Sequence, residues 1–209
     1  MEFILIRHGK TEYTETGRYC GASDPPLSER GRAELEASEV KTFLPTCPPD
    51  LVFSSPLSRA VETADLLFAD FPSLPLLVSQ ELREIDFGDF EGRTFAGDLE
   101  FDPAYRAWLD TNCTALIPGG DFPDRFFEDA AVGFETIVET CETEGVSRAA
   151  IVTHGGVLSA ILERYASPAK PWYEWKFPTG GYAVLNIRYK DLQTPNSGVI
   201  TTTGGGVTC

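Results

Sequence analysis

A chain of 209 residues with 42% hydrophobic content is long enough for one domain with a full core. Its formal net charge of -15 opposes non-specific binding to nucleic acid or to an anionic membrane. No stretch approaches the roughly 20 apolar residues that cross a bilayer. An anionic small molecule stays compatible with that charge wherever cations gather locally.

In chain order, residues 2–6 predict a buried first strand built on Phe3-Ile4-Leu5-Ile6. It ends at Arg7-His8-Gly9, and a polar loop with Gly17, Gly21, Pro25 and Pro26 follows. Apolar spacing predicts a helix from Ser28 to Leu44, broken by Pro45. Leu51-Val52-Phe53 reads as a second strand. Ser55, with Pro56 behind it, reads as the N-cap of a helix reaching Ala69. Leu74 to Val78 reads as a third strand. Residues 95–127, rich in Phe, Asp, Gly and Pro, read as an insertion with a short helix over Pro103–Thr111. Asp124–Thr143 has helical spacing and no proline. A strand over Arg148–Thr153, a helix over Val157–Ala166 and strands over Tyr182–Tyr189 and Val199–Thr203 complete the pattern. Gly204-Gly205-Gly206 predicts a flexible tail. Strands alternating with helices predict an α/β fold in a single domain over residues 1–209. Its mostly parallel central sheet would be covered on both faces, giving a three-layer α/β/α sandwich.

Cys20, Cys47, Cys113, Cys141 and Cys209 are scattered, with no Cys-x-x-Cys pair and no zinc spacing. They predict reduced thiols in a cytoplasmic protein without a bound metal. Met1-Glu2-Phe3 shows no basic region and no small-residue cleavage site, so no secretory signal is expected.

The chain has 2 histidines, and each directly follows an apolar run. His8 ends the first strand and His154, followed by Gly155, ends the strand after residue 148. One histidine after a strand is commonly a loop or capping residue. Two in matching contexts point to the carboxyl edge of an open α/β sheet, where ligands bind. An imidazole nitrogen can attack phosphorus and carry the phosphoryl group, dividing one hard step into two. Arg7 and Arg59 are guanidinium forks suited to phosphate oxygens. Arg59 falls in the first turn of its predicted helix, where a cation opposes the helix dipole unless an anion docks there. The leaving oxygen needs a proton, and the carboxylates Glu84 and Asp86 are both candidates for its donor.

Arg7-His8-Gly9-Lys10-Thr11, Arg18, Pro26-Leu27-Ser28-Glu29-Arg30-Gly31, Ser54-Ser55-Pro56-Leu57-Ser58-Arg59-Ala60, Leu82-Arg83-Glu84-Ile85-Asp86-Phe87-Gly88, Pro118-Gly119-Gly120 and His154-Gly155-Gly156 occur in this order. Together they resemble the histidine phosphatase superfamily, which includes phosphoglycerate mutases and α-ribazole phosphatases. The resemblance implies a phosphoglycerate mutase-like fold and no cofactor. It implies that His8 is the nucleophile, that Arg7, Arg59 and His154 clamp the phosphate, and that Glu84 is the acid. Thr11, Arg18 and the Gly155 N–H follow as secondary phosphate contacts. Thr14 and Cys20 stand where Asn and Gln are common, so the expectation there is a weakened rim. Lys10 replaces the usual Glu or Gln, and Glu91 reads as structural.

The resemblance implies a phosphomonoesterase acting through phosphohistidine on a small phosphate ester, with α-ribazole phosphate as the subgroup analogy. A phosphoglycerate mutase is the alternative, disfavoured by the short span from Glu84 to Pro118. A non-catalytic phosphate-binding protein is the third reading, disfavoured because all five core residues are present. Phe95, Phe101, Tyr105, Trp108, Phe122, Phe126 and Phe127 are either a specificity wall or the core of a lid. Trp172-Tyr173-Glu174-Trp175 is read as a homodimer face. No nucleic-acid or membrane partner is expected.

Overall fold

The computed structural model describes residues 1–207. Seven strands form one sheet: β1 (Glu2–Arg7), β2 (Leu51–Ser54), β3 (Leu76–Val78), β4 (Arg148–Thr153), β5 (Ala166–Ser167), β6 (Tyr182–Asn186) and β7 (Gly198–Gly204). Their spatial order is β3-β2-β4-β1-β6-β7-β5. The β3-β2-β4-β1 block is parallel, β6 is antiparallel to both its neighbours, and β5 is parallel to β7. The sheet is therefore mostly parallel.

Side chains alternate along each strand, so one strand feeds two cores. Phe3 and Leu5 of β1 pack with Ala149 and Ile151 of β4 against α6 (Pro123–Glu144) and α7 (Gly155–Tyr165). Ile4 and Ile6 pack with Ala150 and Val152 on the opposite face. That face is covered by α2 (Glu29–Glu36), α3 (Glu39–Phe43) and α4 (Ser58–Leu67). The result is the expected three-layer α/β/α sandwich. A third cluster lies outside the sheet. Ile85, Phe90, Leu99, Ile117 and, from α5 (Pro103–Asp110), Tyr105 and Trp108 form a small core of their own.

Several boundaries differ from the sequence reading. The single helix expected over Ser28–Leu44 is two helices, because Ser38 starts a new one by accepting the Lys41 N–H at 3.2 Å. Pro45 then sits inside a short 3-10 turn, Leu44–Thr46, rather than ending the helix. Ser55 is not the N-cap of α4, which begins at Ser58. Asp24 caps it from a distant loop, accepting the Ser58 N–H at 2.7 Å and its hydroxyl at 2.8 Å. A one-turn helix, α1 (Glu12–Glu15), was not anticipated. The glycines expected to form a flexible tail instead end β7, with Gly204 buried and the Gly205 N–H donated to Glu39 Oε2 at 2.8 Å.

Candidate active site

Strand register builds the site. β1 and β4 pair in parallel with Arg7 opposite Thr153, so His8 and His154 leave adjacent strands side by side. The His8 N–H donates to the Thr153 carbonyl at 2.9 Å. β2 lies on the other side of β4, and the Ser55 N–H donates to the Val152 carbonyl at 3.0 Å. Three strand ends thus converge at the carboxyl edge of the sheet. The two imidazoles have centroids 5.0 Å apart. His8, Arg59 and His154 are all buried, at 2%, 0% and 0% exposure, which for an arginine demands hydrogen bonds or charge compensation.

The bonds already made define what each group has left to offer. His8 Nδ1 lies 2.7 Å from the Gly9 carbonyl, which accepts only, so Nδ1 carries the proton and Nε2 keeps its lone pair. Arg59 donates Nη1 to the Ser23 carbonyl and Nη2 to the Gly21 carbonyl, each at 2.7 Å. Arg7 donates Nη1 to the Phe177 carbonyl. Among the described residues, five buried side-chain polar atoms lack a hydrogen-bond partner, and three of them are Arg7 Nε, Arg59 Nε and His154 Nδ1. The two guanidinium Nε atoms are donors, and buried donors are normally satisfied, so the pair calls for an acceptor-rich ligand.

The electrostatics point the same way. Burial pushes the pKa of His8 well below its ordinary 6.5, and the charges of Arg59 and Arg7 push it further. His154 is depressed by burial, then by His8 and both arginines. Burial lowers Arg7 as well, opposed by Glu84. Burial raises Glu84 above the usual carboxylate value, against the N–H groups of Gly156 and Ile85. Those donors sit 3.0 Å from Oε2 and 3.1 Å from Oε1. Glycine is required at 156, since a Cβ there would fall 2.3 Å from Glu84 Oε1. Two guanidinium groups and two imidazoles against one carboxylate make the site a receptor for an anion.

A cleft of about 450 Å³ meets this group at Arg7, Glu84, Gly155 and Gly156, while the buried His8, Arg59 and His154 are not in its lining. Its walls are aromatic: Tyr19 from the loop after α1, Phe87 and Phe95 from the middle of the chain, and Trp172, Trp175 and Phe177 from the stretch before β6. Thr14, Arg18, Cys20 and Lys176 complete the rim. A larger hollow of about 510 Å³ shares Glu84, but is lined by neither Arg7 nor Gly155. Asp86 lines this hollow, with Oδ1 accepting the Gly88 N–H at 2.8 Å, whereas Glu84 also lines the cleft with Arg7 and feels the charges of Arg7 and Arg59. Glu84 is therefore the better-placed candidate acid. Glu91 is structural, holding the N–H groups of Gly21, Ala22 and Phe87.

The secondary contacts fare unevenly. Gly155 is the first residue of α7, its N–H without an intrahelical partner, and it packs against Arg7. Arg18 reaches the cleft but is tied to the Gly92 carbonyl at 2.6 Å and to Thr16 Oγ1 at 3.1 Å. Thr11 is fully buried as the N-cap of α1 and does not line the cleft. The Thr14 hydroxyl is used in the same capping box, accepting the Thr11 N–H at 2.9 Å and donating to the Thr11 carbonyl at 3.0 Å. Burial raises the Cys20 thiol, leaving it a neutral, weak partner. Trp172 and Trp175, from the cluster read as a homodimer face, line the cleft. Sequence reasoning missed Ser55, whose Oγ sits 2.7 Å from His154 Nε2. The available signal was its position, directly after β2 as His8 is directly after β1.

This fold and site define a phosphoryl-transfer enzyme of the two-histidine kind. A family model for the histidine phosphatase superfamily (branch 1) matches residues 3–195, and the chain belongs to that superfamily. It is 31% identical over 192 residues to the adenosylcobalamin/α-ribazole phosphatase of Escherichia coli, covering 91% of this chain and 92% of that one. The α-ribazole phosphatase structure from Shigella flexneri superposes with a TM-score of 0.77 at 31% identity, covering 91% of this chain and 92% of the other. A phosphoglycerate mutase structure from Thermus thermophilus superposes with a TM-score of 0.67 at 28% identity, covering 98% and 99%. No helix among the described residues is long and apolar enough to cross a membrane.

Proposed function

We propose that the protein is a phosphomonoesterase that acts through a phosphohistidine on a small phosphate ester. The observation that carries this is the pair of unpartnered buried guanidinium donors, Arg7 Nε and Arg59 Nε, with the unpartnered His154 Nδ1, beside a His8 whose Nε2 lone pair is free. Phosphoryl oxygens would take the two guanidinium donors, placing phosphorus before His8 Nε2. Attack forms the N–P bond and breaks the P–O bond to the alcohol, while Glu84 supplies the proton that the leaving oxygen needs. The raised pKa of Glu84 suits it to hold that proton. Water then attacks the phosphohistidine, Glu84 takes a proton from it, and phosphate leaves. The arginines and His154 balance charge on the equatorial oxygens throughout, so the reaction is expected to proceed in a chelator.

One catalytic unit over residues 1–209 is proposed, with residues 95–127 shaping the alcohol site. The aromatic walls favour an alcohol with a flat or apolar body, as in the α-ribazole phosphate named for the bacterial relatives. Mutase activity would need the intermediate to be kept from water. Here Phe95 reaches the cleft rim at 52% exposure, and the rest of the segment folds around its own small core beside the cleft. Cys20, Cys47, Cys113 and Cys141 are free thiols, which fits a reducing compartment such as the cytoplasm. The test is a panel of phosphomonoesters, scored for phosphate release and separately for interconversion of phosphoglycerates with added bisphosphoglycerate. Efficient interconversion with little free phosphate would replace this reading with the mutase one.

A further inference from the structure

Ser55 Oγ makes two contacts, and together they fix where its proton points. The Leu57 N–H donates to it at 3.3 Å, and His154 Nε2 lies 2.7 Å away. An amide N–H only donates, so the hydroxyl accepts from Leu57 and needs an acceptor for its own proton. Nε2 is the one acceptor-capable atom among those two partners. Ser55 and His154 are both 0% exposed, so an O–H left without an acceptor would pay the full cost of its desolvation. The direction Leu57 N–H to Ser55 Oγ–H to His154 Nε2 follows.

We infer that Ser55 is a positioning residue that holds resting His154 as the Nδ1–H tautomer, so that its unpartnered Nδ1–H faces the phosphoryl group as a donor. Neutral imidazole has one N–H, and a proton on Nε2 would turn a lone pair toward the phosphate oxygens instead. Loss of that donor and repulsion from that lone pair would both oppose binding. The depressed pKa of His154 in the resting site makes this neutral form the one that meets the substrate. The inference rests on the phosphatase reading for its consequence, though the tautomer itself is a property of the resting protein.

The protein's 2 histidines make the test direct. Long-range proton–nitrogen correlation NMR on uniformly nitrogen-labelled wild type at pH 7.5 should show two neutral imidazoles, both protonated at Nδ1. His8→Asn removes one signal set and assigns the other. Ser55→Ala should shift His154 toward a tautomer mixture and lower kcat/KM by about tenfold to a hundredfold, the order of one lost buried hydrogen bond to a catalytic group. The pH profile of kcat/KM should change shape in that variant, and Ser55→Thr, which keeps the hydroxyl, should restore both tautomer and rate. His154 protonated at Nε2 in the wild type would overturn the inference without touching the phosphatase reading. So would a Ser55→Ala variant with wild-type tautomer and pH profile. Where Ser55→Ala does not fold, the wild-type tautomer and the Ser55→Thr variant decide. Absence of phosphate release by the wild type, with the tautomer as stated, would instead overturn the phosphatase reading alone.

Discussion

The carboxyl edge of the sheet and the segment from Glu84 to Phe127 sit against each other yet are built differently. At the sheet edge, strand register places Arg7 opposite Thr153, His8 and His154 at adjacent strand ends and Ser55 after the neighbouring strand, while α4 supplies Arg59. Its groups are buried, charged and incompletely bonded, which strands anchored in two cores can hold in place. The segment instead rests on Ile85, Phe90, Leu99, Tyr105, Trp108 and Ile117, with loops between them. Its ring contacts are ordinary packing, such as Phe90 to Tyr105 at 5.4 Å. Only some of its residues reach the cleft: Glu84, Phe87 and Phe95. Chemistry belongs to the rigid edge and choice of substrate to the cleft rim, so the two should fail in different ways when altered.

His8→Ala is the largest expected break. It should reduce turnover of every phosphomonoester by about 10⁴-fold or more, with the melting temperature little changed. Near-normal turnover would remove His8 from the mechanism. Phe90→Ala strikes the other region. Phe90 is 0% exposed in the small core, and its truncation should cost about 3–5 kcal/mol in denaturant unfolding. A loss confined to substrate preference, with stability intact, would show that the small core does not act as one. Glu84→Gln lies at the junction. It should slow alkyl phosphates by about 10²-fold and p-nitrophenyl phosphate by far less, because that leaving group barely needs a proton. Equal losses on both would make Glu84 a structural group. Phe95→Ala should lower kcat/KM for phosphates of flat, aromatic alcohols by about tenfold and leave p-nitrophenyl phosphate turnover nearly unchanged.

The smallest effect is on the pH dependence of stability. His8 and His154 have folded pKa values well below 6.5. Below pH 6.5 the unfolded chain binds protons that the folded chain refuses. Their contribution is therefore whole above pH 6.5 and is lost as pH falls toward the folded values. Glu84 has the opposite sign, since its folded pKa is raised: its contribution is present below about 4.5 and fades as pH rises through the folded value. Glu84 is present in both proteins, so between pH 8 and 5.5 the melting temperature of wild type should fall more steeply than that of His8→Asn. Parallel slopes would mean that His8 titrates in the folded protein much as it does in the unfolded chain.

Much of the edge was legible in sequence because it follows from short rules. An apolar run ending in His-Gly marks a buried strand and its exit, and two such runs of similar length predict neighbours. Less legible was that two of the expected secondary contacts have hydroxyls engaged by local backbone. The Thr14 hydroxyl closes the α1 capping box, and Thr11 is the cap itself, choices set by turn geometry that spacing does not reveal. Asp24 capping α4 from 34 residues away is likewise invisible to a local pattern. In the segment, Phe and Trp were countable, but which rings face the cleft depends on how loops fold over one another. Trp172 and Trp175 came to the cleft wall through tertiary packing, from a part of the sequence that carried no catalytic motif.

The central claim is that His8 Nε2 carries the phosphoryl group before water removes it. Rapid mixing with a fast substrate, followed by quenching in base and phosphorus NMR with peptide mapping, measures this directly. The account predicts a base-stable, acid-labile phosphoramidate on the peptide containing His8, formed and lost at rates consistent with turnover and absent from His8→Ala. Turnover at full rate with no phosphate on His8, or with phosphate on His154 instead, would contradict it.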